Sequence, residues 1–269
     1  MRAGTTSLHH YLHAHPEIFM SEPKELYFWN AEDCLGRLQD YKRFFPVDAA
    51  VRGESTVFYT VHPLFRKVPE RIRSVIPYAK LIYVVRDPID RAISQYVHEY
   101  ATRAESRPFE TAFKDLTNPL HPYIVPSRYA TQLERYLENF PQSQILVLDQ
   151  VELLRHRRET LRKVFHFLGV AEYFDSPRFD DLLNTASEKR RPSHRIPGVR
   201  HSLAVEIAAR AVPSPVRSAL FRAGRRAMSR AVRAPAVDEA LRRRFAAILR
   251  EEANRLRELT GKSFEDWSI

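Results

Sequence analysis

The chain has 269 residues, 44% of them hydrophobic, and a formal net charge of +10. That length can bury one sizeable core, no apolar run reaches the roughly 18 residues of a membrane helix, and no secretory leader is read at the start. The single cysteine, Cys34, excludes an internal disulfide and a cysteine-based metal cluster, so a reducing, cytoplasmic location is expected. The positive charge is carried mostly by arginine and suits an anionic ligand, because guanidinium pairs bidentately with phosphate and sulfate. By itself it leaves nucleotide, polyanionic glycan, membrane surface and nucleic acid open.

Arg2-Ala3-Gly4-Thr5-Thr6-Ser7 runs into Leu8, Tyr11 and Leu12 at helical spacing, which predicts a loop entering a helix over Thr5–His13. Such a junction binds anions: the first N–H groups of the helix lack partners, its dipole is positive there, and glycine lets an oxyanion approach the main chain. A loop of this kind ordinarily follows a buried strand, so a further strand is expected ahead of Arg2. His15-Pro16 ends the helix. His9, His10, His13 and His15 lack the accompanying glutamate and third ligand of a zinc motif and read as solvated or structural.

Lys24-Glu25-Leu26-Tyr27-Phe28-Trp29 has two readings. It is either an aromatic plug in the core preceded by surface charges, or a carboxylate held against an apolar wall where its pKa rises towards that of a general base. A helix is expected over 36–45, a short strand over 51–56 and a helix over 68–76. Lys80–Val85 is the clearest strand, an apolar run of the kind found in a sheet covered on both faces. Arg86 stands at its carboxyl end, where open α/β sheets bind ligands. Asp87-Pro88 caps the next helix, along which Ser94 lies close enough to Arg86 to share one phosphate; a surface or N-cap-paired Arg86 is the alternative. A loop over 118–126, a helix over 127–139, a strand over 144–149 and a helix over 159–168 stopped by Gly169 follow. This alternation indicates α/β with a largely parallel sheet. A basic loop over 184–198 holds Lys189, Arg190 and Arg191, and 199–235 reads as weakly amphipathic, basic helices. The last helix, 238–260, should be closed by Phe264 and Trp267.

Three stretches in this order resemble the PAPS-dependent sulfotransferases, specifically the heparan-sulfate-type branch and its bacterial relatives. Arg2–Leu8 is similar to the family's loop for the 5′-phosphosulfate, Arg86–Ser94 to its 3′-phosphate motif, and Lys24–Trp29 to the segment carrying the catalytic glutamate. The resemblance implies a P-loop nucleotide-kinase-like α/β fold, with a central, mostly parallel sheet flanked by helices. One domain would span 1–269, with 199–235 a basic helical insert within it. It also implies transfer of a sulfuryl group from PAPS to a hydroxyl or amine, with no metal. Arg2, Ala3, Gly4, Thr5, Thr6 and Ser7 would hold the 5′ side of the donor, and Arg86 with Ser94 the 3′-phosphate. Lys189, Arg190 and Arg191 would stand in for the family's donor-contacting loop. Glu25 would be the general base and Arg2 an electrostatic catalyst.

Arg2 stands where the family usually has lysine, and its fixed charge cannot pass a proton to the leaving phosphate. Ser55 stands where some members carry a second lysine, which leaves fewer cations at the transferring sulfate. The expected acceptor is a glycan, glycolipid or other small molecule, with no nucleic acid partner and with peripheral membrane contact through 199–235 as a further expectation. The rival readings are a non-enzymatic basic protein that binds an anionic surface or nucleic acid, and an inactive sulfotransferase remnant.

Overall fold

The computed structural model describes residues 2–46, 48–181, 183, 190–192, 229–232 and 235–269. The elements of the chain are α1 (Thr5–His13), β1 (Ile18–Met20), α2 (Leu38–Lys42), β2 (Val51–Gly53), α3 (Val68–Val75), β3 (Leu81–Val85), α4 (Pro88–Thr102), α5 (Phe109–Ala112), α6 (Tyr129–Leu137), β4 (Ile145–Asp149), α7 (Gln150–Arg155), α8 (Arg157–Leu168), β5 (Arg190–Pro192), β6 (Ser229–Ala231) and α9 (Glu239–Thr260). The chain divides into two units. One comprises Met1–Gln95, Phe113–Asn184 and Ala236–Ile269, the other Tyr96–Ala112 and Thr185–Pro235.

In the larger unit the strands pair in parallel, as the alternation of strand and helix requires. β3 pairs with β4 in the register Leu81↔Ile145 to Val85↔Asp149, and β1 pairs with β2 from Ile18↔Val51 to Met20↔Gly53. Successive side chains of a strand point to opposite faces, and β3–β4 is covered on both. Val84 and Leu148 enter a cluster with Leu8, Tyr11, Leu12, Val164 and Phe165, while Val85 and Val147 meet Leu133, Leu256, Phe264 and Trp267. Phe28 and Trp29 close a third cluster with Val68, Ile72 and Phe140.

The expected sheet is divided: β1–β2 and β3–β4 are separate parallel pairs. Between them lies a cavity of about 490 Å³, lined by Thr5, Leu8 and Leu12 of α1, residues 51–57 on one side and residues 81–84 on the other.

The helix expected over 36–45 is shorter, a 3₁₀ turn at Cys34–Arg37 leading into α2. β1 and α7 were not signalled by the sequence, because each is too short to show a period. In the smaller unit Tyr96 stacks on Tyr100 at 5.6 Å and meets Phe109 edge-on at 5.2 Å. The basic loop expected over 184–198 contains a strand instead: β5 pairs antiparallel with β6. The exchange of main-chain hydrogen bonds with 229–231 gives this stretch a partner that local composition does not reveal. The helical reading of 199–235 falls mostly outside the described residues, and 229–231 within it are strand. No helix among the described residues is long and apolar enough to cross a membrane.

Candidate functional site

The chain enters α1 through two left-handed residues, Arg2 at φ 62° and Gly4 at φ 93°. Glycine adopts that conformation at little cost, whereas Arg2 is strained by on the order of 1–3 kcal/mol. Ala3 between them is 1% exposed and packs with Leu148 and Leu153, and Gly4 lies against Gln150 and Leu153. The loop is thus seated on the carboxyl end of β4 and the start of α7. No side chain caps the first turn of α1 among the described residues, so its free N–H groups and positive dipole end are presented at the loop.

Register carries Arg86 to the same edge. Val85 is opposite Asp149, so the residues after both strands leave the sheet together. Arg86 donates to Asp90 Oδ2 at 3.2 Å, and its own N–H meets the Tyr129 hydroxyl at 3.3 Å. Asp87 accepts the Asp90 N–H at 2.9 Å and so caps α4. Ser94 is half-buried two turns into that helix.

Arg2 is the feature that points to an anion. Its Nε is buried and makes no hydrogen bond, and Arg2 forms no ion pair among the described residues. Burial, and then the Arg86 guanidinium, lower its pKa. Two cations therefore share one field at a sheet edge without a carboxylate for Arg2, and a buried donor left unpaired costs about 1–3 kcal/mol. A bound oxyanion satisfies both demands.

Glu25 lies in the irregular segment between β1 and the 3₁₀ turn at Phe28–Asn30. It forms an ion pair with Lys24 and accepts the Val57 N–H at 2.9 Å. His9, on the second turn of α1, is bonded to Ser55 Oγ at 3.0 Å. Burial, followed by Lys24 and then by His13 and His10, pushes its pKa down to about 4. Of the other N-terminal histidines, His10 is bonded to Asp181 and His15 to the Ala171 carbonyl, both far along the chain.

The apolar wall expected behind Glu25 is not there. Tyr27 has a left-handed backbone, φ 55°, and is 45% exposed, and the chain turned by it sends Phe28 and Trp29 into their own cluster. The carboxylate enclosed by rings is Glu54, which the sequence did not single out. It accepts from Tyr41 at 2.9 Å, from Tyr59 at 3.1 Å and from Thr56 at 2.9 Å, and burial raises its pKa.

Residues 1–191 match the family model described as the sulfotransferase domain. The chain belongs to the sulfotransferase family. It is a transferase of sulfuryl groups, and the family implies PAPS as donor. This sulfotransferase is 30% identical over 210 residues to the human bifunctional heparan sulfate N-deacetylase/N-sulfotransferase 2, covering 67% of its own length and 22% of that protein. It is 30% identical over 193 residues to the mouse bifunctional heparan sulfate N-deacetylase/N-sulfotransferase 1, covering 65% and 22%. The chain thus spans about a fifth of the length of the curated relatives it matches. The crystal structure of a sulfotransferase from Alicyclobacillus acidocaldarius superposes with a TM-score of 0.69 at 22% identity, over 100% of this chain and 95% of that one, and shows the same fold.

The structure of this sulfotransferase brings the Arg2–Ser7 loop and Arg86 into one region. Arg190 and Arg191 belong to β5 of the smaller unit, and Lys189 lies outside the described residues. The rival reading of a non-enzymatic basic protein rested on 195–250 and is not favoured by the family match.

Proposed function

We propose that this sulfotransferase binds PAPS at the Arg2–Ser7 loop and Arg86, and transfers its sulfuryl group to a hydroxyl or amine of a carbohydrate or other small-molecule acceptor, with Glu25 as general base. The observation that carries the donor site is the buried, unpartnered Nε of Arg2 in the field of Arg86. PAPS supplies a sulfuryl group activated by its anhydride link to phosphate. Arg2 and the free N–H groups of α1 hold negative charge at the 5′ side, and Thr5, Thr6 and Ser7 add hydroxyl donors. Arg86 and Ser94 take the 3′-phosphate. Transfer of this kind gains mainly from positioning and from fixed cations, and Lys24 adds a cation beside Glu25. Glu25 accepts the proton that the acceptor loses.

Rings of the two segments joined by the Val57–Glu25 hydrogen bond meet one another. Tyr27 meets Phe58 at 5.6 Å, and Phe58 meets Phe65 at 6.2 Å. Tyr27 and Phe65 are exposed, which supports an acceptor that presents a ring face. We further propose that the strand expected ahead of Arg2 lies in the cavity between β2 and β3.

Calorimetry with 3′-phosphoadenosine 5′-phosphate, alongside a screen of glycan, phenol and lipid acceptors with labelled PAPS, tests the reading. Binding should be weakened by about 1.5–3 kcal/mol in Arg86→Ala, the scale of a lost charged hydrogen bond. Equal affinity of that variant would remove Arg86 from the donor site.

A further inference from the structure

We infer that Glu54, acting through Thr56, is the positioning residue that fixes the Glu25 carboxylate and the strained turn behind it; this rests on the reading of Glu25 as the base. Glu54 is half-buried at the wall of the cavity, and its two oxygens receive three hydroxyls. Oε1 takes Tyr41 and Tyr59, and Oε2 takes Tyr59 and Thr56. None of the ion pairs among the described residues includes it. A carboxylate is an acceptor only, so it dictates the direction of each O–H that faces it.

That direction matters at Thr56. With its proton committed to Glu54 Oε2, the Thr56 oxygen turns its lone pairs to the main chain beyond Glu25, accepting from Leu26 N–H at 3.1 Å and Tyr27 N–H at 3.4 Å. Tyr27 is the left-handed residue of this turn, and such a conformation persists only where its surroundings hold it. The next residue completes the bracket: Val57 N–H binds Glu25 Oε2 at 2.9 Å. Residues 54–57 thus grip the base from both sides, by its carboxylate and by the two amides that follow it. Ser55 ties the same four residues to His9 of α1, the helix that begins at the donor loop. Burial raises the pKa of Glu54, and the hydroxyls of Tyr41, Thr56 and Tyr59 act against that shift by donating to the carboxylate.

Glu54 touches no reacting atom in this arrangement, so its effect is read in the placement of Glu25. One readout needs no acceptor, the amide resonance of Val57, which reports its hydrogen bond to Glu25. Glu54→Gln and Thr56→Val should displace that resonance in the same direction as Glu25→Gln does, and Thr56→Ser should restore it. An unmoved Val57 resonance in Thr56→Val overturns the inference, and because Thr56→Val keeps Glu54 and both tyrosines, it decides the matter even where Glu54→Gln does not fold.

With the acceptor that wild type uses fastest, Glu54→Gln should lower kcat about 10- to 100-fold, the scale of a reacting group displaced by a fraction of an ångström. KM for PAPS should stay within about 2-fold, and Glu54→Gln should add less than about 2-fold in the Glu25→Gln background. Independent, multiplicative losses would make Glu54 a general structural residue and overturn the inference while leaving Glu25 as base. Unchanged turnover in Glu25→Gln alone would instead remove the base on which the inference rests.

Discussion

Arg2 and Glu25 show how differently two charged side chains can be held in one protein. The donor loop places Arg2 where burial and Arg86 both act against its charge, with Nε lacking a partner. Glu25, in contrast, is paired with Lys24 and with a main-chain N–H. With Glu25 as base, Glu25→Gln is expected to lower turnover by about 10²- to 10⁴-fold while leaving affinity for 3′-phosphoadenosine 5′-phosphate unchanged. Steady-state rates with labelled PAPS check the first part and calorimetry the second. His9 gives a prediction in pH. Its folded pKa of about 4 lies below the ordinary imidazole value of 6.5, so the unfolded chain binds more protons between these values and stability falls as pH drops through that window. His9→Gln should flatten that part of the curve, measured as the difference in unfolding midpoint from wild type across pH; parallel curves would contradict the assignment.

Among the elements, α9 and the tail after it close the carboxyl edge of β3–β4. Phe264 and Trp267 stack at 4.4 Å, and Trp267 Nε1 donates to Asp149 Oδ2 at 3.1 Å. Ser268 Oγ donates to Asp87 Oδ2 at 2.7 Å. The two carboxylates that cap α7 and α4 are therefore also the anchors of the C-terminus, and burial raises the pKa of Asp149. Trp267→Ala should cost about 3–5 kcal/mol, as for a large aromatic removed from a core. Trp267→Phe keeps the stacking but leaves Asp149 without that donor, at about 1–3 kcal/mol. Urea unfolding of both variants checks the ordering; equal losses would show that the packed ring adds little beyond its N–H, and no loss in Trp267→Phe that the N–H contributes little.

At the scale of the whole molecule, the two parallel pairs flank a cavity of about 490 Å³ that borders the donor loop at Thr5. Its apolar lining and the strand on either side suit an extended apolar segment, whose main-chain groups would pair with both edges. A form of the protein carrying such a strand upstream of Arg2 should unfold at a higher temperature and bind 3′-phosphoadenosine 5′-phosphate more tightly, because the loop would then be tethered at both ends. Scanning calorimetry of the two forms measures it, and an unchanged midpoint would count against a strand in the cavity.

Much of this was legible in the chain order of residues. The helix start at Thr5, the strands ending at Val85 and Asp149, the Asp87 cap and the stop at Gly169 all carry local signals, since capping, period and left-handed glycines act over a few residues. These signals, with the spacing of the Arg2, Lys24 and Arg86 stretches, were sufficient for the fold class and the family. Tertiary structure alone decided which carboxylate the rings enclose. Glu25 precedes three aromatics in sequence, yet the carboxylate that rings enclose is Glu54, because Tyr41 and Tyr59 arrive from separate segments while the turn at Tyr27 carries its neighbours away. Burial depends on what the rest of the chain brings to a residue, and adjacency in sequence does not fix that.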